Sequence, residues 1–89
     1  MSTVAGHDGP RIRSVSIENE KISAELVDGR VISVPISWSW RLAGATQEQR
    51  RRYRLIADGE GIHWPDVDED ISLESMLAGA PRTASRNPG

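Results

Sequence analysis

The sequence predicts a small α+β domain: a three-stranded antiparallel meander, helices, a short fourth strand and a closing C-terminal helix. Three observations carry this. Ile22-Ser23-Ala24-Glu25-Leu26 and Ile32-Ser33-Val34-Pro35-Ile36 alternate apolar with other residues, the period-two pattern of a strand with one buried face. The links before and between them, Asn19-Glu20 and Asp28-Gly29, are short enough for hairpins. Thr46 with Gln49, and Ser72 ahead of a short apolar run ending at Gly79, are helix start and stop signals.

Length bounds what these elements can build. Eighty-nine residues make one domain near the lower limit of what a single apolar core supports. Residues 1–10 and 80–89 have neither a helix nor a strand period, so both are expected to be flexible tails flanking a folding unit at 11–79. There is no cysteine, hence no disulfide framework and no thiolate metal site. No apolar run approaches the ~20 residues of a membrane span, and the N-terminus lacks the basic start and apolar core of a secretory signal. A cytoplasmic protein without membrane contact is the expectation.

In chain order, Val15 and Ile17 stand two apart in a first strand over residues 11–18. Ile22, Ala24 and Leu26 form the inner face of the second, and Ile32, Val34 and Ile36 that of the third. Asp28-Gly29 reads as a type I′ turn, because Gly accepts positive φ without a steric penalty. Pro35 cannot donate to a ladder and belongs at a strand end or sheet edge. Trp38, Arg41 and Leu42 fit one helical turn ended by Gly44. The capping box at Thr46 starts a second helix, expected to run to Ile56 with Gln49, Tyr53 and Ile56 on one face and Arg50, Arg51 and Arg54 elsewhere. Ile62-His63-Trp64 reads as the fourth strand, ended by Pro65, and Leu73, Met76 and Leu77 as the inner face of the last helix. Ile22, Leu26, Ile32, Val34, Trp64 and Leu77 are expected to share one core, with Trp38 another large core piece and Trp40 at its margin.

Charge is separated along the chain. Residues 41–54 carry five arginines and one glutamate, whereas residues 58–74 carry seven acids and no Lys or Arg. The formal net charge of only −2 argues against general attraction to nucleic acid or membrane.

The order Val-Pro-Ile-Ser-Trp, Arg-Leu, Ala-Thr-x-Glu-Gln-Arg, then Asp-Gly-Glu-Gly-Ile-His-Trp-Pro-x-Val-Asp-Glu-Asp-Ile-Ser and a Leu-Ala-Gly end resembles a family of small bacterial proteins known as domain of unknown function 2442. The resemblance spans roughly residues 12–79. It implies a compact α+β fold, a meander followed by helices, a further strand and a closing helix. It implies no activity. Some relatives resemble partners of a protein encoded beside them, in the manner of toxin–antitoxin pairs. Others carry a helix-turn-helix after this domain, where this chain has only a short segment beyond Gly79.

The chemistry-bearing residues concentrate at 58–72. Asp66, Asp68 and Asp70 alternate as calcium-loop ligands do, but Ile71 stands where such a loop needs Gly and Leu77 where it needs Glu. The expectation is that Asp68, Glu69 and Asp70 stabilise the N-terminus of the last helix and that no metal or other cofactor is held. His63 could act as a base with Asp68 and with Ser37 or Ser39, yet neither serine has nucleophile-elbow glycines and no second histidine lies within residues 11–79. No catalytic residue is assigned. Trp40 beside Arg41 has the composition of a protein-binding surface. Arg50, Arg51 and Arg54 suit Arg–carboxylate forks with Asp66, Asp68 or Glu69, within one copy or between copies. The sequence therefore points to a non-enzymatic protein-interaction module, with candidates Trp40, Arg41, Arg50, Arg51, Arg54, His63, Asp66, Asp68 and Glu69. Its partner is a neighbouring-gene protein, as an antitoxin's would be, or a second copy. A nucleic-acid or regulatory role for the basic helix stands second, and a small hydrolase third.

Overall fold

The computed structural model describes residues 9–79, so the expected tails lie outside the described residues apart from Gly9 and Pro10. The class is α+β, with two three-stranded antiparallel sheets and three short helices. The first sheet is the expected meander, β1 (Ile12–Glu18), β2 (Lys21–Leu26) and β3 (Val31–Pro35), in spatial order β1-β2-β3. A 3-10 turn at Ile36–Trp38 leads to α1 (Trp40–Ala43) and α2 (Gln47–Arg51). The second sheet follows as β4 (Arg54–Ile56), β5 (Gly61–Trp64) and β6 (Glu69–Ser72), and α3 (Leu73–Ala78) closes the fold.

Register in the meander follows from which residues must be buried. Val15 pairs with Ala24 and Ile17 with Ile22, placing the apolar residues of both strands on one face. Ile12 pairs with Leu26 although it lies an odd number of residues from Val15, because the register shifts between Ile12 and Ser14. That bulge brings Ile12 onto the core face with the others, where it is buried. Pro35 ends β3, an edge strand, where the ladder needs no donor.

The two hairpin turns exchange the expected roles. Asn19 and Glu20 both take positive φ, 51° and 63°, as a type I′ turn requires. In the second hairpin only Gly29 does (96°), and the Leu26 amide donates to the Arg30 carbonyl around it. Asp28 instead accepts from the Arg30 amide and guanidinium, with the amide first in holding its carboxyl below the usual range. The type I′ reading of Asp28-Gly29 is thereby corrected: an Asp that accepts from the residue two ahead favours a turn with negative φ at its own position.

The second helix is shorter than its pattern suggests. Thr46 and Gln49 form the capping box, but the helix stops at Arg51 and Arg54–Ile56 is a strand. From Arg52 the exposure alternates, Tyr53 and Leu55 turning toward the core and Arg52, Arg54 and Ile56 outward. The Tyr53 hydroxyl accepts from the Val15 amide, tying this crossing to β1. Ladder pairing of Arg54 with His63, Leu55 with Ile62 and Ile56 with Gly61 replaces the helical bonds that the extra turn would have made.

β6 is a second correction. Glu69 and Asp70 do not sit in a loop before the last helix; they pair with Trp64 and His63. Ser72 alone caps α3, accepting from the Ser75 amide, and Gly79 closes it at φ 79°. Leu73 and Met76 face inward as expected, but Leu77 is 46% exposed and leaves the predicted core. Both sheets, α1 and α3 feed one apolar cluster that includes Ile22, Leu26, Val34, Leu42, Ile62, Trp64 and Met76, with Ile32 and Trp38 packed against it, whereas α2 buries none of its residues.

One turn clasps the two sheets. In the 3-10 turn Ala57–Gly59, Gly59 has φ 88°, and a Cβ built there would lie 3.1 Å from Arg11 Cβ and 3.2 Å from the Ile12 carbonyl oxygen. Asp58 beside it pairs with Arg11 at 2.8 Å. Gly59→Ala is expected to destabilise the fold by about 1–3 kcal/mol, since both the conformation and the space disfavour a side chain. Urea unfolding followed by circular dichroism measures this, and a loss within about 0.5 kcal/mol, the range of an ordinary surface change, would show that the turn adapts.

Candidate functional site

Helix α1 has four residues, far too few to hold itself together, so its position is set by tertiary contacts. Three groups supply them. Ser39 is its N-cap, accepting from the Leu42 amide at 3.1 Å, while its own hydroxyl donates to Glu69 Oε2 at 2.5 Å. Arg41 Nη1 donates to the Asp68 carbonyl. At the other end, Arg50 Nε and Nη2 donate to the carbonyls of Leu42 and Ala43, satisfying the last turn from outside.

Glu69 is 4% exposed, an unusual place for a carboxylate. Its two oxygens accept from the Ser39 hydroxyl and from the Asp70 amide, so the buried acid has donors on both sides. The backbone at the preceding residue, Asp68, turns with φ 56°. That turn presents the carbonyl taken by Arg41 and starts the strand that points Glu69 inward.

What this frame presents is Trp40. The residue is 78% exposed, the most exposed of the large apolar residues among those described. The Arg41 guanidinium carbon lies 5.3 Å from the ring centroid, within cation–π range. A large aromatic is held in water on a helix pinned at three points.

The remaining candidates separate. Arg52 pairs with Asp66 at 3.0 Å and with Glu48 at 3.1 Å, so the arginine run does meet the acidic segment within the same copy, through an arginine outside the predicted set. Arg51 reaches only Gln47 Oε1, at 3.5 Å. Arg54 sits on β4 opposite His63, and His63 opposite Asp70, a polar row across the outer face of the second sheet. His63 Nδ1 and Asp70 Oδ1 are 2.5 Å apart, the carboxylate accepting. The alternating acids diverge: Asp66 goes to Arg52, Asp70 to His63, and Asp68 contributes a backbone carbonyl. Ser39 is committed to Glu69, Ser37 is exposed on the 3-10 turn and His63 pairs with Asp70, so the nucleophilic set of His63 and Asp68 with either serine is not brought together.

Comparison with known proteins agrees with this architecture. The family model described as "Protein of unknown function (DUF2442)" matches residues 12–82. The chain belongs to that family. No curated protein matches. Among solved structures of similar shape is a crystal structure of a protein of unknown function from Rhodospirillum rubrum. It is 25% identical, with TM-score 0.74, covering 88% of this chain and 96% of that one. The solution structure of the uncharacterised protein CV0863 from Chromobacterium violaceum has 25% identity and TM-score 0.71, covering 88% of this chain and 76% of that one. The family is one of unknown function, and both structures support the fold.

Ser39 and Arg52 are the two site residues missed from sequence. Ser39 carries a signal, a serine three residues ahead of Leu42 as an N-cap would be. Arg52 offered none beyond its place in the run.

Proposed function

We propose that this DUF2442 chain is a non-enzymatic protein-interaction module whose contact surface is centred on Trp40. The observation that carries the reading is the indole itself, fully presented and preorganised by Arg41, Ser39–Glu69 and Arg50. Trp and Arg dominate the energetics of protein interfaces, and a side chain already ordered loses little entropy on binding. Arg51 and Arg54, exposed and without an ion pair among the described residues, add positive charge for an acidic partner. A neighbouring-gene protein, in the manner of an antitoxin's target, or a second copy are the partner classes. The arginine run favours this over nucleic acid, because Arg50 is turned onto α1 carbonyls and Arg52 is neutralised, leaving few guanidinium groups for phosphates. Against hydrolysis, Ser39 and Ser72 are engaged as helix caps and His63 is paired with Asp70.

Trp40→Ala should leave stability within about 0.5 kcal/mol, since an exposed side chain is removed, and should abolish capture of the partner that co-purifies with the tagged wild-type protein. Arg51→Glu should weaken the same complex. Retention of the partner by the folded Trp40→Ala protein would refute the assignment, as would tight, salt-sensitive binding of nucleic acid that Arg51→Glu reduces.

A further inference from the structure

The end of the second sheet remote from Trp40 holds a different surface. The register places Trp64 and Glu69 at the β5–β6 turn, beside α1, and Gly61 and Ser72 at the opposite end. There the outer face opens into a cleft of about 690 Å³, walled by α3. Two of the five exposed large apolar side chains among the described residues, Ile56 and Leu77, line it. The hollow exists because β5 carries Gly61 at this row: a Cβ there would come within 3.1 Å of the Ile56 side chain. Glu74, Leu77 and Ala78 lie three and four residues apart and present one face of α3 to it.

Among the described residues its charge has one sign: Glu60, Asp70 and Glu74 line the cleft, and none of the described lining residues is Lys, Arg or His. Glu60 and Glu74 make no ion pair among the described residues, and Asp70 is met only by His63. Carboxylates around an apolar floor attract a cation and reject an anion of the same shape.

We propose that this cleft docks a basic segment of a partner protein, which sets apolar side chains against Ile56 and Leu77 and Lys or Arg among Glu60, Asp70 and Glu74. The surface is separate from the one around Trp40 and goes beyond that reading, giving the module a second contact of opposite charge. The floor accounts for the apolar side chains and the unpaired carboxylates for the basic ones.

The test uses the full chain at near-physiological salt and two short labelled peptides, one alternating Leu with Lys and one alternating Leu with Glu. Fluorescence anisotropy should show binding of the Lys peptide and none of the Glu peptide. Amide chemical-shift changes should map to residues 56–61 and 70–78. Replacing Glu60 and Glu74 together by Gln should weaken binding about tenfold or more, and Leu77→Asp should abolish it with the circular dichroism spectrum unchanged. Equal binding of both peptides, shifts centred elsewhere, or full affinity in folded Leu77→Asp overturns the proposal. So does a self-association of the wild-type chain that Leu77→Asp breaks, which would make a second copy the occupant. Trp40→Ala should bind the Lys peptide as the wild type does, so loss of either surface is read independently of the other.

Discussion

Trp64→Ala should unfold much of the protein at ambient temperature. Trp64 is completely buried, the largest side chain to be so, and it stands on β5 in the middle of the second sheet. Truncating a buried Trp to Ala costs about 3–5 kcal/mol, a large part of what a domain of this size has in total. Its indole N–H also donates to the Arg50 carbonyl at 3.1 Å, holding the end of α2 over the sheet. Trp64→Phe separates the two effects. It keeps most of the ring volume and removes the donor, so it should cost less than the Ala change while still loosening α2. Urea midpoints by circular dichroism for the two variants decide this. A loss below 1 kcal/mol for Trp64→Ala would contradict the packing described.

Ser39→Ala is the second large effect, and it comes from a hydroxyl. The change removes the N-cap of α1 and strips the donor from a carboxylate with almost no access to water. Losing a cap costs about 0.5–2 kcal/mol and orphaning a buried acceptor about 1–3, so a loss of about 2–4 kcal/mol is expected. A double-mutant cycle with Glu69→Leu tests the coupling. The double variant should be less damaged than the sum of the single changes, because each single change leaves a polar group without its partner. Strict additivity would mean that the Ser39–Glu69 contact is incidental. Because this contact seats Trp40, Ser39→Ala should also impair partner capture beyond what its stability loss explains.

The parts of the fold legible in the sequence are those decided locally. Ile22, Ala24, Leu26 and Val34 announce their strands by alternation, and Thr46, Ser72 and Gly79 mark helix ends because a cap is chosen by its own neighbours. The second sheet is decided by distant residues. Arg54–Ile56 has only three residues, too few to show a period, and a capped, arginine-rich helix precedes it, so the helix pattern ran on. Glu69 shows the same limit at the site. An acid among acids ahead of a helix reads as a helix-stabilising charge, and the Ser39 hydroxyl that helps make its burial tolerable comes from thirty residues earlier. Trp40 beside Arg41 was legible as a surface pair from residue type. How firmly it is held was not, since the anchors come from α2 and β6.

The bulge in β1 also constrains how this chain can change. Ile12 and Val15 reach the same core across an odd spacing, and the residue that makes up the difference is Arg13, an exposed side chain joined only to Val27 and Glu25 at the surface. Exchanging Arg13 for another residue should be nearly silent. Deleting it would turn Ile12 to solvent and draw Arg11 away from Asp58, breaking at once the core and the clasp between the sheets. At this point in the chain what is conserved by the physics is a count of residues, whatever their identity, so drift in length is penalised where drift in composition is free.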